Sequence, residues 1–150
     1  NSLDLKELDF IAISIGPGSY TGIKVGVNFT KGMAYALNIP IVPVNSLDAL
    51  NYLIVNDKRY YIALYSHKNY IYYQEFENRV AQSKQICNKA SLLKKYDIYG
   101  YQLDSLDDII TYNEVIPSSY NIGLFASNNY EELATKDYDK ISSICISKVS

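Results

Sequence analysis

Histidine is nearly absent from this chain: His67 is the only one, and the two cysteines, Cys87 and Cys145, lie far apart with no C-x-x-C spacing. Even an open catalytic zinc site takes about three protein ligands, so no metal centre is expected. Two distant cysteines are no disulfide framework either, and they fit a reduced, cytoplasmic setting. A basic excess is also lacking. Fourteen Lys and Arg stand against sixteen Asp and Glu, for a net charge of −2, so the positive footprint of an independent nucleic-acid binder is missing. No apolar run approaches the length of a membrane span, no secretory h-region begins the chain, and no membrane association is expected. The phosphate motifs G-x-G-x-x-G and G-K-[ST] do not occur. Asp104, Asp107 and Asp108 cluster in one stretch, but without the central glycine and following glutamate of a calcium loop they read as a solvated turn. No serine or cysteine has a second histidine or a lysine at a nucleophile's motif spacing.

What is present is a strand, a glycine turn and a helix. Leu8–Ile15 is apolar on both alternating faces apart from Asp9 and Ser14, the pattern of a strand buried on both sides. Gly16-Pro17-Gly18-Ser19-Tyr20-Thr21-Gly22 follows. Its glycines permit a sharp turn, Pro17 stops the strand, and Ser19 and Thr21 are candidate N-caps. From Gly22 to Asn38 the residues Ile23, Val27, Met33, Ala34 and Leu37 recur at helical spacing. Free amides and the positive dipole end at such a corner can hold a nucleotide phosphate or another anion, with Gly16, Gly18, Ser19 and Thr21 as the candidate residues. The spacing alone favours a plain tight turn over that role, since Pro17 lacks an amide. Gly22, Gly26, Thr30 and Ala34 repeat every four residues as a small-residue ridge, flanked by Ile23 and Val27. Such a ridge lets a second helix approach closely, or packs on the helix's own sheet.

Ile39–Asn45 reads as a short strand with Pro40 and Pro43, followed by a helix capped by Ser46 and carrying Leu47, Leu50, Leu53 and Ile54. Arg59–Ser66 and Tyr70–Phe76 form a β-hairpin around His67-Lys68-Asn69, with Asn69 taking the positive φ and His67 a solvated tip residue. Beyond it we expect a helix over Ala90–Tyr96, strands over Asp97–Tyr101 and Ile109–Val115, and a helix over Tyr120–Leu133. That last helix has Pro117 in its first turn and Ser118 or Ser119 as cap. Lys140–Ser150 is a short alternating tail. Strands alternating with helices, then a hairpin, define an α/β domain with a mixed sheet and flanking helices.

The run from Gly16 to Gly26, with Lys31-Gly32-Met33-Ala34, Asn38-Ile-Pro-Ile and Val44-Asn-Ser-Leu-Asp-Ala-Leu50, closely resembles the TsaB (YeaZ) family. The match covers Leu8 to Leu50. The resemblance implies the actin-like, ribonuclease-H-like ATPase fold with its first lobe incomplete: 1–56 as the remainder of that lobe and 57–150 as the second. An Asp-Thr-[SA]-Thr hairpin and a long helix precede this point in the family, so the resemblance implies an N-terminally truncated chain with an open sheet edge. The family's D-A-R-x-G-E-V-Y hairpin pattern is replaced here by Tyr65-Ser66-His67-Lys68-Asn69-Tyr70-Ile71-Tyr72, and the closing P-x-Y-[LI]-[RK] motif is missing. The sister family TsaD carries an H-x-x-x-H metal motif that this chain lacks. The resemblance therefore implies a non-catalytic subunit of the tRNA threonylcarbamoyladenosine apparatus. Such a subunit pairs with a TsaD-type transferase through Gly22, Ile23, Gly26, Val27, Thr30 and Ala34. It works with a TsaE-type ATPase and meets tRNA only through the complex. ADP or ATP is allowed at the partner interface, and a homodimer when alone. An actin-like ATPase enzyme and an inactive remnant are the competing readings. Replacing Gly26 by a bulky residue is expected to abolish the complex while leaving monomer helicity.

Overall fold

The computed structural model describes residues 4–93, 95–106 and 111–146. The opening strand, β1 (Ile11–Gly16), starts later than its apolar pattern because Leu5–Glu7 form a 3-10 turn capped by Asp4. The helix α1 (Tyr20–Leu37) follows, with Ser19 as its N-cap: the Ser19 hydroxyl accepts from the Gly22 amide, and Thr21 lies already inside the first turn. It ends on Asn38 in the left-handed conformation, φ 53°, one of the few side chains that tolerate it. β2 (Ile41–Asn45) then runs parallel to β1.

Ser46 does not cap the next helix, α2 (Ser46–Asn51). Asn45 does, from extended backbone, its Oδ1 accepting from the amides of Leu47 at 2.8 Å and Asp48 at 3.3 Å. The Ser46 hydroxyl is thereby free to meet Ser14 across the β1–β2 layer, 2.7 Å away. α2 stops at Asn51, short of Leu53 and Ile54.

β3 (Arg59–His67) and β4 (Tyr70–Glu77) form the expected antiparallel hairpin. The positive φ falls on Lys68, not Asn69, and His67 closes β3 and stacks on Tyr70, centroids 5.2 Å apart, instead of standing in solvent. β5 (Val80–Ala81) and β6 (Ile86–Lys89) both pair with β4 and were not expected. The helix expected at Ala90–Tyr96 is only a 3-10 turn, Ala90–Leu92, with residue 94 outside the described residues. β7 (Asp97–Tyr101) runs parallel to β3, and β8 (Asn113–Glu114) is all that forms of the expected 109–115 strand, residues 109 and 110 lying outside the described residues. The larger sheet has the order β5-β4-β3-β7-β8, with β6 also on β4.

The expected helix over Tyr120–Leu133 is two: α3 (Ser119–Asn128), capped by Ser118, and α4 (Tyr130–Leu133). Asn129 separates them: its backbone leaves the helical region at φ −120°, ψ 20°, and its side-chain amide donates to the Phe125 carbonyl at 2.8 Å. Pro117 lies ahead of the cap, not in the first turn. The alternating tail makes no strand among the described residues. Ile141 is buried against α1, and Ile144 donates to the Ile15 carbonyl at 2.7 Å.

Two layers organise the core. One face of the large sheet (Tyr60, Ile62, Leu64, Phe76) packs on Leu47 and Leu50 of α2 and on Ile54 just beyond it. α3 and α4 return to cover the small sheet, where Val42 and Val44 meet Ala126. A hydrogen bond from the Tyr60 hydroxyl to Asn51 Oδ1, 2.6 Å, joins the two regions. Burial of Tyr60 pushes its phenol above the ordinary value.

Asp48, in the first turn of α2, has no ion partner among the described residues, and burial raises its carboxyl above the usual range. A raised acid pKa means that the native state binds the proton more tightly than the unfolded chain, so stability falls as pH climbs from the unfolded value of ~3.9 through the native one. Asp48→Asn is therefore expected to raise the melting temperature at pH 7 and to change nothing at pH 3. Equal gains at both pH values in thermal circular dichroism would refute this.

Candidate functional site

The parallel strands β1 and β2 end at Gly16 and Asn45, and the parallel pair β3 and β7 ends at His67 and Tyr101. All four carboxyl ends border one half-open cavity of about 250 Å3, the place where open α/β sheets take ligands. The glycine turn forms one wall. Gly16 has φ 104°, a backbone that side chains rarely adopt, and Pro17 is fully buried behind it. Gly18, Ser19 and Ile23 continue this wall, while Leu64, Tyr65 and Tyr101 supply the opposite one. Ser14 and Ser46 lie at the cavity with their hydroxyls paired, and the Gly16 amide donates to Ser14 Oγ at 3.3 Å. Gln102, held at φ 59°, and Pro117 complete the rim.

Of the four anion candidates, Gly18 and Ser19 line this cavity, Gly16 is buried in the turn beneath it, and Thr21 is exposed and outside the lining. Ser14, Ser46, Tyr65, Tyr101, Gln102 and Pro117 were not anticipated. They come from separate elements whose convergence no local spacing reveals. Lys24, one turn into α1, leans over the Tyr20 ring, 4.2 Å from its centroid, and bonds its hydroxyl.

The small-residue ridge of α1 does not form one face. A helix turns about 100° per residue, so each step of four advances about 40° around the axis. Gly22 is accordingly exposed, Gly26 half-buried, and Thr30 and Ala34 are 5% and 0% exposed. Val27 is buried and Ile23 half-buried in the same cluster with β1 and β2. The outward face is a different row: Val25, 64% exposed, and Phe29, 68% exposed, with the accessible Gly32 and Ala36 following at helical spacing. A Cβ on the half-buried Gly26 would sit 3.5 Å from Ile13 Cδ1, an ordinary van der Waals contact.

Elsewhere, Ser66 Oγ and His67 Nδ1 are 2.9 Å apart, and the buried Cys87 thiol points at Ser66 from 4.0 Å. Asp104 accepts from the Tyr112 hydroxyl at 2.6 Å, which raises the Tyr112 phenol, while Asp107 and Asp108 lie outside the described residues. Among the described residues no three His, Cys, Asp or Glu groups gather as a metal site, and no helix is long and apolar enough to cross a membrane.

Parallel strands feeding helices, a glycine corner between them and a second, mixed sheet across a cleft define an α/β protein of the actin-like, ribonuclease-H-like kind. The solved structure of YeaZ from Pseudomonas aeruginosa shares this fold, with a TM-score of 0.73 at 15% identity over 95% of this chain and 77% of that one. Residues 1–114 match the family described as TsaD, tRNA N6-adenosine threonylcarbamoyltransferase, and the chain belongs to that family. Its resemblance to the TsaB (YeaZ) proteins within it stands. The tRNA threonylcarbamoyladenosine biosynthesis protein TsaB of Haemophilus influenzae is 36% identical over 50 residues, 33% of this chain and 21% of that protein. A tRNA N6-adenosine threonylcarbamoyltransferase of Pelodictyon phaeoclathratiforme is 54% identical over 43 residues, 29% of this chain and 12% of the enzyme. These matches thus span about a fifth or less of the curated relatives' length.

Proposed function

We propose that this chain is a non-catalytic subunit of a tRNA threonylcarbamoyladenosine assembly that docks on a TsaD-type transferase through the outward face of α1. The observation that carries this reading is the exposed row Val25 and Phe29, with Gly32 and Ala36 beside it. Large apolar side chains in one contiguous row on a helix favour a partner, and small residues next to them admit a second helix at close range. The transferase's H-x-x-x-H pair cannot be built from one histidine, which supports a supporting role over catalysis. A TsaE-type ATPase and tRNA then join through the complex, in the cytoplasm.

The test is size-exclusion chromatography of the chain with the TsaD-type protein of its own organism, alongside threonylcarbamoyl transfer to tRNA. A one-to-one complex and transfer only in the presence of the transferase are expected. Separate elution of the two proteins, or transfer by this chain unaided, would overturn the proposal.

A further inference from the structure

The two flanks of the exposed row on α1 differ in charge. Lys24 and Lys31 are the only charged side chains of this helix, which holds no Asp or Glu. Seven residues apart, they stand on one flank with Asn28 between them, while Gly22, Gly26 and Met33 make the other flank. On the lysine side α1 borders a groove of about 240 Å3, closed opposite by Ile141, Ser142 and Ser143. Among the described residues no carboxylate lines this groove. We propose that Lys24 and Lys31 receive two carboxylates, spaced i and i+7, from the helix of a TsaD-type subunit that docks on Val25 and Phe29.

Neither lysine forms an ion pair among the described residues. Lys24 lies 4.2 Å from the centre of the Tyr20 ring and bonds its hydroxyl. That partner is neutral, so the side chain is held in place while its charge stays uncompensated. Lys31 also borders a second groove, which Asp137 and Asp139 line, but Asp137 is already paired with Lys140 at 2.8 Å. Asn28 and the hydroxyls of Ser142 and Ser143 add neutral donors beside the two ammonium groups. Seven helical residues span about 10 Å, so acidic side chains two turns apart on a helix packed along α1 reach both lysines. Shifted to the opposite flank, the same carboxylates would meet only the uncharged Gly22, Gly26 and Met33. The lysines thus give direction to an apolar contact that has none of its own. Exposed ion pairs add little affinity singly, so the effect falls mainly on association rate and specificity.

This inference rests on the docking proposed above, and its test separates the two. Association of the full chain with the TsaD-type protein of its own organism is followed by stopped flow at low salt, about 50 mM, and at high salt, about 500 mM. The parent is expected to associate about tenfold more slowly at high salt. Lys24→Gln combined with Lys31→Gln is expected to associate about tenfold more slowly than the parent at low salt and equally fast at high salt. Both lysines lie outside the cluster beneath α1, and thermal unfolding of the double variant is expected to match the parent. Absence of any complex with the parent would overturn the docking and the pairing together. A parent whose association ignores salt, or a double variant as fast as the parent at low salt, would overturn the pairing alone. So would a double variant that keeps the transferase but deprives the complex of tRNA, which would assign both lysines to RNA phosphates.

Discussion

Gly100→Ala is expected to cost the fold about 3 kcal/mol, the upper end of ordinary overpacking losses. Gly100 lies in β7 directly opposite Ala63 of the central strand β3. A Cβ there would come within 2.6 Å of the Ala63 carbonyl oxygen and 2.7 Å of Leu103 Cδ1. The first neighbour is backbone in the middle of the sheet and the second a side chain that is almost wholly buried, so neither can yield cheaply. β7 must move away from β3 and strain the ladder that also carries β8. For a chain of this size the loss corresponds to a fall in melting temperature of roughly 10 °C. Gly123→Ala is the matched control: it sits in α3 with nothing within 4 Å of the added carbon. There alanine's better helix propensity should add about 0.5–1 kcal/mol. Calorimetry on both variants decides the matter, and a Gly100→Ala melting temperature within about 2 °C of the parent would show that the sheet relaxes freely.

The contrast between these two glycines marks how far the sequence could be read. α1 and the β3–β4 hairpin were legible because each repeats a strong period over many residues, and Gly16 and Pro17 punctuate the first cleanly. β5 was not, since it has two residues and its turn, Asn78-Arg79 with both φ positive, lacks the glycine that usually betrays such a hairpin. The cap of α2 was misplaced by one residue because Asn45 and Ser46 are both good caps in isolation. The pairing of Ser46 with Ser14, thirty-two positions away, belongs to tertiary structure. The same holds for the cavity: Ser14, Tyr65, Gln102 and Pro117 become neighbours only when two sheets bring four strand ends together. On α1 a spacing of four winds around the axis, so Gly22 is exposed while Thr30 and Ala34 pack on the protein's own sheet, the second of the two arrangements that the spacing allowed.

That winding fixes the second large effect. Phe29→Glu, best combined with Val25→Glu, is expected to weaken binding of a TsaD-type subunit at least a hundredfold, about 2.7 kcal/mol or more. Both side chains stand out from α1, and neither belongs to the cluster that Val27, Ala34 and Ile41 form beneath it. The carboxylates should therefore leave the monomer within about 0.5 kcal/mol of the parent, as surface changes usually do. In a docked helix pair the same carboxylates would have to leave water for an apolar contact, which is what makes the loss large. Ala34→Leu is the informative opposite. Ala34 is wholly enclosed and Tyr138 donates to its carbonyl, so the added carbons should lower the melting temperature whether or not a partner is present. Titration calorimetry with the transferase, beside thermal unfolding of each variant alone, separates the two faces of the helix. Undiminished affinity in the Val25 and Phe29 double variant would move the docking surface off α1 altogether.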